Sequence, residues 1–153
     1  MSIEDTLAAR GIVLPKAAAP VASYRPVMIH CGIAYVSGQL PFVNDQLVTG
    51  TLGNDVGLDQ GVEAARACGL MILAQLKETL GSLDRVEQVL KLGGFVASDP
   101  HFTDQPKVVN GASDLMADIF GEAGQHARSA VGVPALPLGA AVEVDAIVAV
   151  KPA

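Results

Sequence analysis

Arg128, in the run RSAVGV, and Glu143, in AVEVDA, are the residues of this chain best suited by type and spacing to do chemistry. A guanidinium grips a planar carboxylate with two parallel hydrogen bonds, a geometry that lysine cannot reproduce. A glutamate cannot be a second grip on an anion; its chemistry is to handle a proton or orient a water. If the last two strands pair as a hairpin around PALPLG, with the apex between Ala135 and Leu136, Arg128 and Glu143 face each other on one side of the sheet. The plain alternative is a cross-strand salt bridge, worth less than ~1 kcal/mol when exposed. Ala130, Val131, Val133, Val142 and Val144 make an apolar neighbourhood, where a charged pair is costly unless it is used.

Tyr24 stands at the start of the first strand region, where its phenol can donate to an anion or a water, or simply be a core aromatic. Ser37-Gly38-Gln39 ends a strand and offers backbone N–H groups, with Gly38 allowing close approach; a plain turn accounts for it equally well. Asn110 falls near the start of a helix and reads by itself as a solvated helix residue. His30, His101 and His126 have no HxH or HExxH spacing, so no metal site is indicated. Ser129 lacks a GxSxG elbow, and GTLGNDVG lacks the lysine of a phosphate loop.

These residues need a scaffold, and hydrophobic periodicity supplies one. A short helix over Met1 to Gly11 precedes an extended arm, Leu14 to Ser23. Val27 to His30 and Ile33 to Ser37 read as a hairpin turning at Cys31-Gly32; Asn44-Asp45 marks a second turn, before a short strand within Gln46 to Thr49. A helix capped by Asp59 or the loop before it carries Val62, Ala65, Gly69, Leu73, Leu76 and Leu80 on one face and stops at Gly81. Gly69 there suggests close packing. Val86 to Ala97 is an apolar strand whose Gly93-Gly94 marks a bulge or a close backbone contact. A second helix runs from Pro106 to about Phe120, and strands at Ala127 to Val133 and Ala141 to Val150 close the chain. The order β-β-(β)-α-β-α-β-β points to an α+β sandwich of one domain, residues 1–153, with both long helices on one sheet face. The other face then lacks a cover within the chain.

Composition narrows the functions. The chain has 153 residues, half of them hydrophobic and 17% charged, and a mean hydropathy of +0.41. That is enough for a substantial core, with apolar surface left to bury between subunits. Ten basic residues against 16 acidic ones give a net charge of −6, which opposes binding to a nucleic-acid backbone. The acidic start MSIEDTLAAR is no secretory signal, and the longest apolar stretch, Gly69 to Ala74, is too short to span a membrane. Cys31 and Cys68 show no CxxC spacing and fit reduced thiols in a cytoplasmic protein.

The ordered set Tyr24, Ser37-Gly38-Gln39-Leu40-Pro41, Val109-Asn110, Arg128-Ser129, Leu136-Pro137 and Val142-Glu143-Val144 resembles the RidA/YjgF family of reactive-intermediate deaminases, over residues 20 to 150. The resemblance implies a chorismate-mutase-like fold, a homotrimer with ligand clefts between subunits, and hydrolysis of short-lived enamines and imines to 2-keto acids and ammonia. It implies no metal or organic cofactor. By matching position, Arg128 would hold the substrate carboxylate, Glu143 would position water, Tyr24 would orient the ligand, and Ser37, Gly38, Asn110 and Ala130 would line the pocket. Ala130 departs from the cysteine common in well-known members, and the arm and the Gln46–Gly57 region are longer than in compact ones. The competing readings are a non-catalytic trimer that binds 2-keto acids or a protein partner, and a ribonuclease, which the acidic charge disfavours.

Overall fold

Ser2 and Asp5 start helix α1 (Ile3–Ala9) with a capping box, the Ser2 hydroxyl accepting from the Asp5 amide and the Asp5 carboxylate from the Ser2 amide. The computed structural model describes residues 1–19 and 23–153. Residues 20–22 of the expected arm lie outside the described residues. Strands β1 (Val27–His30) and β2 (Ile33–Gln39) form the expected hairpin, in which Cys31 and Gly32 take positive φ values of 51° and 75°. Both signs suit the twist of a two-residue turn. Asn44 and Asp45 do the same between the two-residue strands β3 (Phe42–Val43) and β4 (Gln46–Leu47).

Helix α2 (Leu58–Leu80) is capped from the preceding loop rather than by Asp59: the Gly57 amide donates to the Gln60 side chain at 3.0 Å. Strand β5 (Val86–Ala97) leads to α3 (Gln105–Phe120), with Pro106 in its first turn, then to β6 (Ala127–Val133) and β7 (Val142–Val150). A single mixed sheet has the order β1-β2-β7-β5-β6, β6 running parallel to β5 and the other pairs antiparallel. Helices α2 and α3 pack on one face, α2 over β2 and β7, α3 over β5 and β6. The architecture is the α+β, chorismate-mutase-like one. Among the described residues, no helix is long and apolar enough to cross a membrane.

One expectation fails. The last two strands do not form a hairpin, because β5 lies between them, pairing Leu92 with Arg128 on one side and with Ala146 on the other. The physical reason is the crossover: α3 returns the chain to the same end of the sheet, so β6 must add parallel to β5. The connection after β6 then passes to β5's far edge, which pairs the backbone of this long apolar strand on both sides.

Alternation divides the sheet's faces. On β7, Val142, Val144, Ala146, Val148 and Val150 are buried under the helices, while Glu143, Asp145 and Ile147 face the other way. On that open face Met28 and Tyr35 remain 53% and 51% exposed, and Val131 45%, so the face the helices leave uncovered carries large apolar side chains beside the two carboxylates. Gly94 and Gly111 show how tightly the helix layer sits. A Cβ at Gly94 would stand 2.5 Å from the Val109 side chain, and one at Gly111 would meet the Val62 carbonyl of α2. The expected close approach at Gly93-Gly94 is present, whereas the bulges of β5 fall earlier, between Val86 and Gln88 and between Val89 and Lys91.

Candidate functional site

Apart from Tyr24, the expected site residues fall into two groups on opposite faces of the sheet. Arg128 shares its level with Leu92, a core residue on the helix side, and its guanidinium reaches α3. There NH1 donates to Asn110 Oδ1 at 2.8 Å and to Ser113 Oγ at 3.1 Å. Asn110 and Ser113 are three residues apart on α3 and so present one side to the strand. Ala130, next on that side of β6, is partly buried against the core. Nε and NH2 of Arg128 have no protein partner among the described residues, and they form the edge that suits a carboxylate.

A second hydrogen-bonded pair stands beside this arginine. Ser113 Oγ lies 2.8 Å from His126 Nε2, and His126 Nδ1 lies 2.6 Å from the Gly124 carbonyl oxygen. Neither Ser113 nor His126 emerged from motif spacing. His126 sits two residues before Arg128, so strand alternation places them on one side, but nothing local ties either to Ser113.

Glu143 belongs to the open face, level with Phe95 on β5, which in turn is level with Val131 on β6. It therefore lies two strands and three residues from Arg128, about 10 Å across and about 10 Å along the sheet. The expected same-face pairing of Arg128 with Glu143 does not hold within one chain. Instead Glu143 meets the predicted Ser37-Gly38 segment. Between the pairs Val36–Ala146 and Gln39–Val144, Ser37 and Gly38 together oppose Asp145, a β-bulge. A Cβ at Gly38 would stand 2.6 Å from Glu143 Oε2, so the glycine gives the carboxylate its room. Ser37 turns its hydroxyl back to the Pro26 carbonyl at 3.2 Å. Tyr24 is half exposed in the coil before β1, and no described contact brings it to either group.

Asp145, absent from the sequence reading, lies beside Glu143 on this face with its carboxylate over Gly93. Burial raises the Glu143 pKa, and the negative charge of Asp145 raises it further. Burial also raises that of Asp145, opposed by the Gly93 backbone and by Lys91. A carboxyl held above its ordinary range is suited to exchanging protons near neutrality.

Polar contacts also run from the bulge to the arm. Buried Gln75 on α2 donates to the Ala18 carbonyl at 2.8 Å and to Gln39 Oε1 at 3.3 Å, while Gln39 donates to the Ser37 carbonyl at 3.0 Å. A hollow of about 810 Å³ lies between this arm and α2, lined in part by Leu14, Phe42, Glu63, Arg66 and Met71. It contains none of the expected site residues. Cys31 is exposed and Cys68 buried, and both are free thiols.

The comparisons with known proteins agree with this architecture. Residues 4–149 match the family model described as "YjgF/chorismate_mutase-like, putative endoribonuclease". Protein TCP17 of Trypanosoma cruzi is 52% identical over 141 residues, spanning 90% of this chain and 88% of that protein. Protein HMF1 of Saccharomyces cerevisiae is 30% identical over 139 residues, spanning 90% of this chain and 92% of HMF1. The crystal structure of Atu1372 from Agrobacterium tumefaciens, of unknown function, superposes with a TM-score of 0.91 at 47% identity, covering 97% of this chain and 92% of that one.

Proposed function

The chain belongs to the YjgF/RidA family, and from that premise we propose that it is a cofactor-free hydrolase of small reactive 2-imino and enamino acids, working as a homotrimer. The observation that carries this reading is Arg128, tied to α3 through NH1 while its Nε–NH2 edge has no protein partner among the described residues. That arrangement suits one small carboxylate. The separation of Arg128 from Glu143 within the chain then asks for a cleft between copies, in which β6 of one subunit faces the open sheet face of another. The exposed apolar side chains of the open face and the outer edge of β6, unpaired among the described residues, support such an assembly.

In that cleft Arg128 holds the substrate carboxylate and fixes the imine carbon. The substrate enters as the protonated imine; Glu143 orients a water and takes its proton as the oxygen adds to the imine carbon, giving a neutral carbinolamine. Glu143 passes that proton to the amine nitrogen. As the carbon–nitrogen bond breaks, the hydroxyl proton returns to Glu143 and from it to the departing ammonia, so protonated imine and water become a 2-keto acid and ammonium. Imines already hydrolyse in water, so orientation and proton transfer are the whole of the enzyme's task. Tyr24, Ser37, Gly38, Asn110 and Ala130 line this cleft in the proposal. The net charge of −6 argues against an RNA substrate, whose phosphates call for clustered cations.

The test couples a serine or threonine dehydratase to this protein and follows keto-acid release. Acceleration over buffer is expected, with Arg128→Ala abolishing it, Arg128→Lys retaining less than about a tenth, and Glu143→Gln lowering kcat more than raising KM. Release at the buffer rate in the presence of wild-type protein sinks the hydrolase. Calorimetric binding of pyruvate that depends on Arg128, without turnover, would make the protein a carboxylate binder.

A further inference from the structure

We propose that Ser113 and His126 are positioning residues that lock the Arg128 guanidinium with its Nε–NH2 edge turned toward the ligand. The proton directions leave a single arrangement. Guanidinium N–H groups only donate, so Ser113 Oγ accepts from Arg128 NH1. A carbonyl oxygen only accepts, so the His126 nitrogen facing Gly124, Nδ1, carries a proton. In the neutral ring Nε2 is then bare, and it accepts the one hydrogen of the Ser113 hydroxyl. Each group thus donates to the next: Arg128, Ser113, His126, the Gly124 carbonyl.

The backbone holds the far end of this chain. A Cβ at Gly124 would run into the Met116 carbonyl of α3, so the turn carrying the accepting carbonyl lies directly on the helix that carries Ser113. Helix, turn and strand therefore fix one ring tautomer, the tautomer fixes the hydroxyl, and the hydroxyl takes one hydrogen of NH1. Asn110 takes another hydrogen of the same nitrogen. With NH1 occupied on the helix side, the fork formed by Nε and NH2 is the part of the guanidinium left for a ligand. A long side chain with several rotamers is thereby ordered before a ligand arrives, which lowers the cost of binding.

The consequence for ligands rests on Arg128 being the carboxylate anchor, so two measurements are needed. In protein labelled with ¹⁵N-histidine, at mildly alkaline pH, the His126 ring should show the Nδ1–H tautomer, with Nε2 in the unprotonated range. Ser113→Ala should leave the Nδ1–H tautomer in place, held by the Gly124 carbonyl, but shift the Nε2 resonance as that nitrogen loses its donor, and Ser113→Thr should restore it. An Nε2–H tautomer in the wild type overturns the relay, whatever the protein binds.

Calorimetry with pyruvate is the second measurement, on variants whose Tm matches the wild type. Ser113→Ala and His126→Leu should each weaken binding by about tenfold, and Ser113→Thr should recover most of it. In turnover the loss should fall on KM and spare kcat. If Arg128→Ala abolishes pyruvate binding while Ser113→Ala and His126→Leu bind like wild type, the positioning role is refuted and the anchor stands. If Arg128→Ala binds pyruvate as well as wild type does, the anchor is refuted, and the role of Ser113 and His126 in ligand binding falls with it.

Discussion

Glu143 and Asp145 are two carboxyls on one strand face, and their environment sets how they titrate. Burial raises both, and Asp145 adds to the rise at Glu143. Asp145→Asn removes that neighbouring charge, so the Glu143 pKa should fall and the acid limb of kcat/KM should move to lower pH. A limb that stays in place would mean that Asp145 does not act on Glu143 in the working site. Stability has the same origin. Each folded state holds its proton more tightly than the unfolded chain, so the favourable contribution is complete below the unfolded values, near ~4.3 for Glu and ~3.9 for Asp. It is lost as pH rises through the raised folded values. Glu143→Gln should therefore raise Tm at neutral pH and leave it unchanged in acid, as a thermal melt at each pH would show. Of the residues involved, Arg128 and Glu143 stand out in the sequence as charges in apolar strands. Asp145 was missed, although its place two residues along the strand from Glu143 put it on the same face. The Ser113–His126 contact was not legible, because it joins residues 13 apart across a helix, a turn and a strand start.

At the level of elements, the period-3.6 and period-2 patterns give α2, α3 and the long strands with bounds within a few residues, and Gly69 is correctly read as a packing site. A Cβ there would stand 2.9 Å from Leu115 Cδ2, the far end of a flexible side chain. A Cβ at Gly111 would instead meet backbone, the Val62 carbonyl, which cannot swing aside. Gly69→Ala should stay within about 1 kcal/mol of wild type, since the clash is offset by better helix propensity. Gly111→Ala should cost about 3 kcal/mol, because two helices must separate to admit it. Urea unfolding of both variants distinguishes these outcomes, and equal losses would contradict the backbone contact. The bulge at Ser37-Gly38 was visible only as a strand end. A bulge is defined by the partner strand, and β7 lies more than a hundred residues away in the chain.

For the whole molecule, the proposed assembly relies on the open sheet face to bring the Arg128 and Glu143 groups of two copies together. Met28 and Tyr35 sit about half exposed there, beside Ile147 on β7. Tyr35→Glu should leave the far-UV circular dichroism intact, since the residue adds nothing to the helix-covered core. On the proposed trimeric hydrolase, it should also shift the sedimenting mass from trimer to monomer and remove turnover with it. A trimer that persists with full activity would place the interface elsewhere. Arg128 and Glu143 cannot cooperate inside one copy, so catalysis without assembly would also refute their joint role.

The sequence by itself determined the helices, the long strands, their order and the α+β class, because helical and strand periodicity and short turn signals are local properties of the chain. The ordered motifs carried the family resemblance, while strand β3 went unread. Only the tertiary structure decided that β5 separates β6 from β7, which sends Arg128 and Glu143 to opposite faces. Alternation states which residues of one strand share a side; it carries no information on which strand lies next to it. That choice is made by the crossover of α3 and by the burial of β5 between two neighbours.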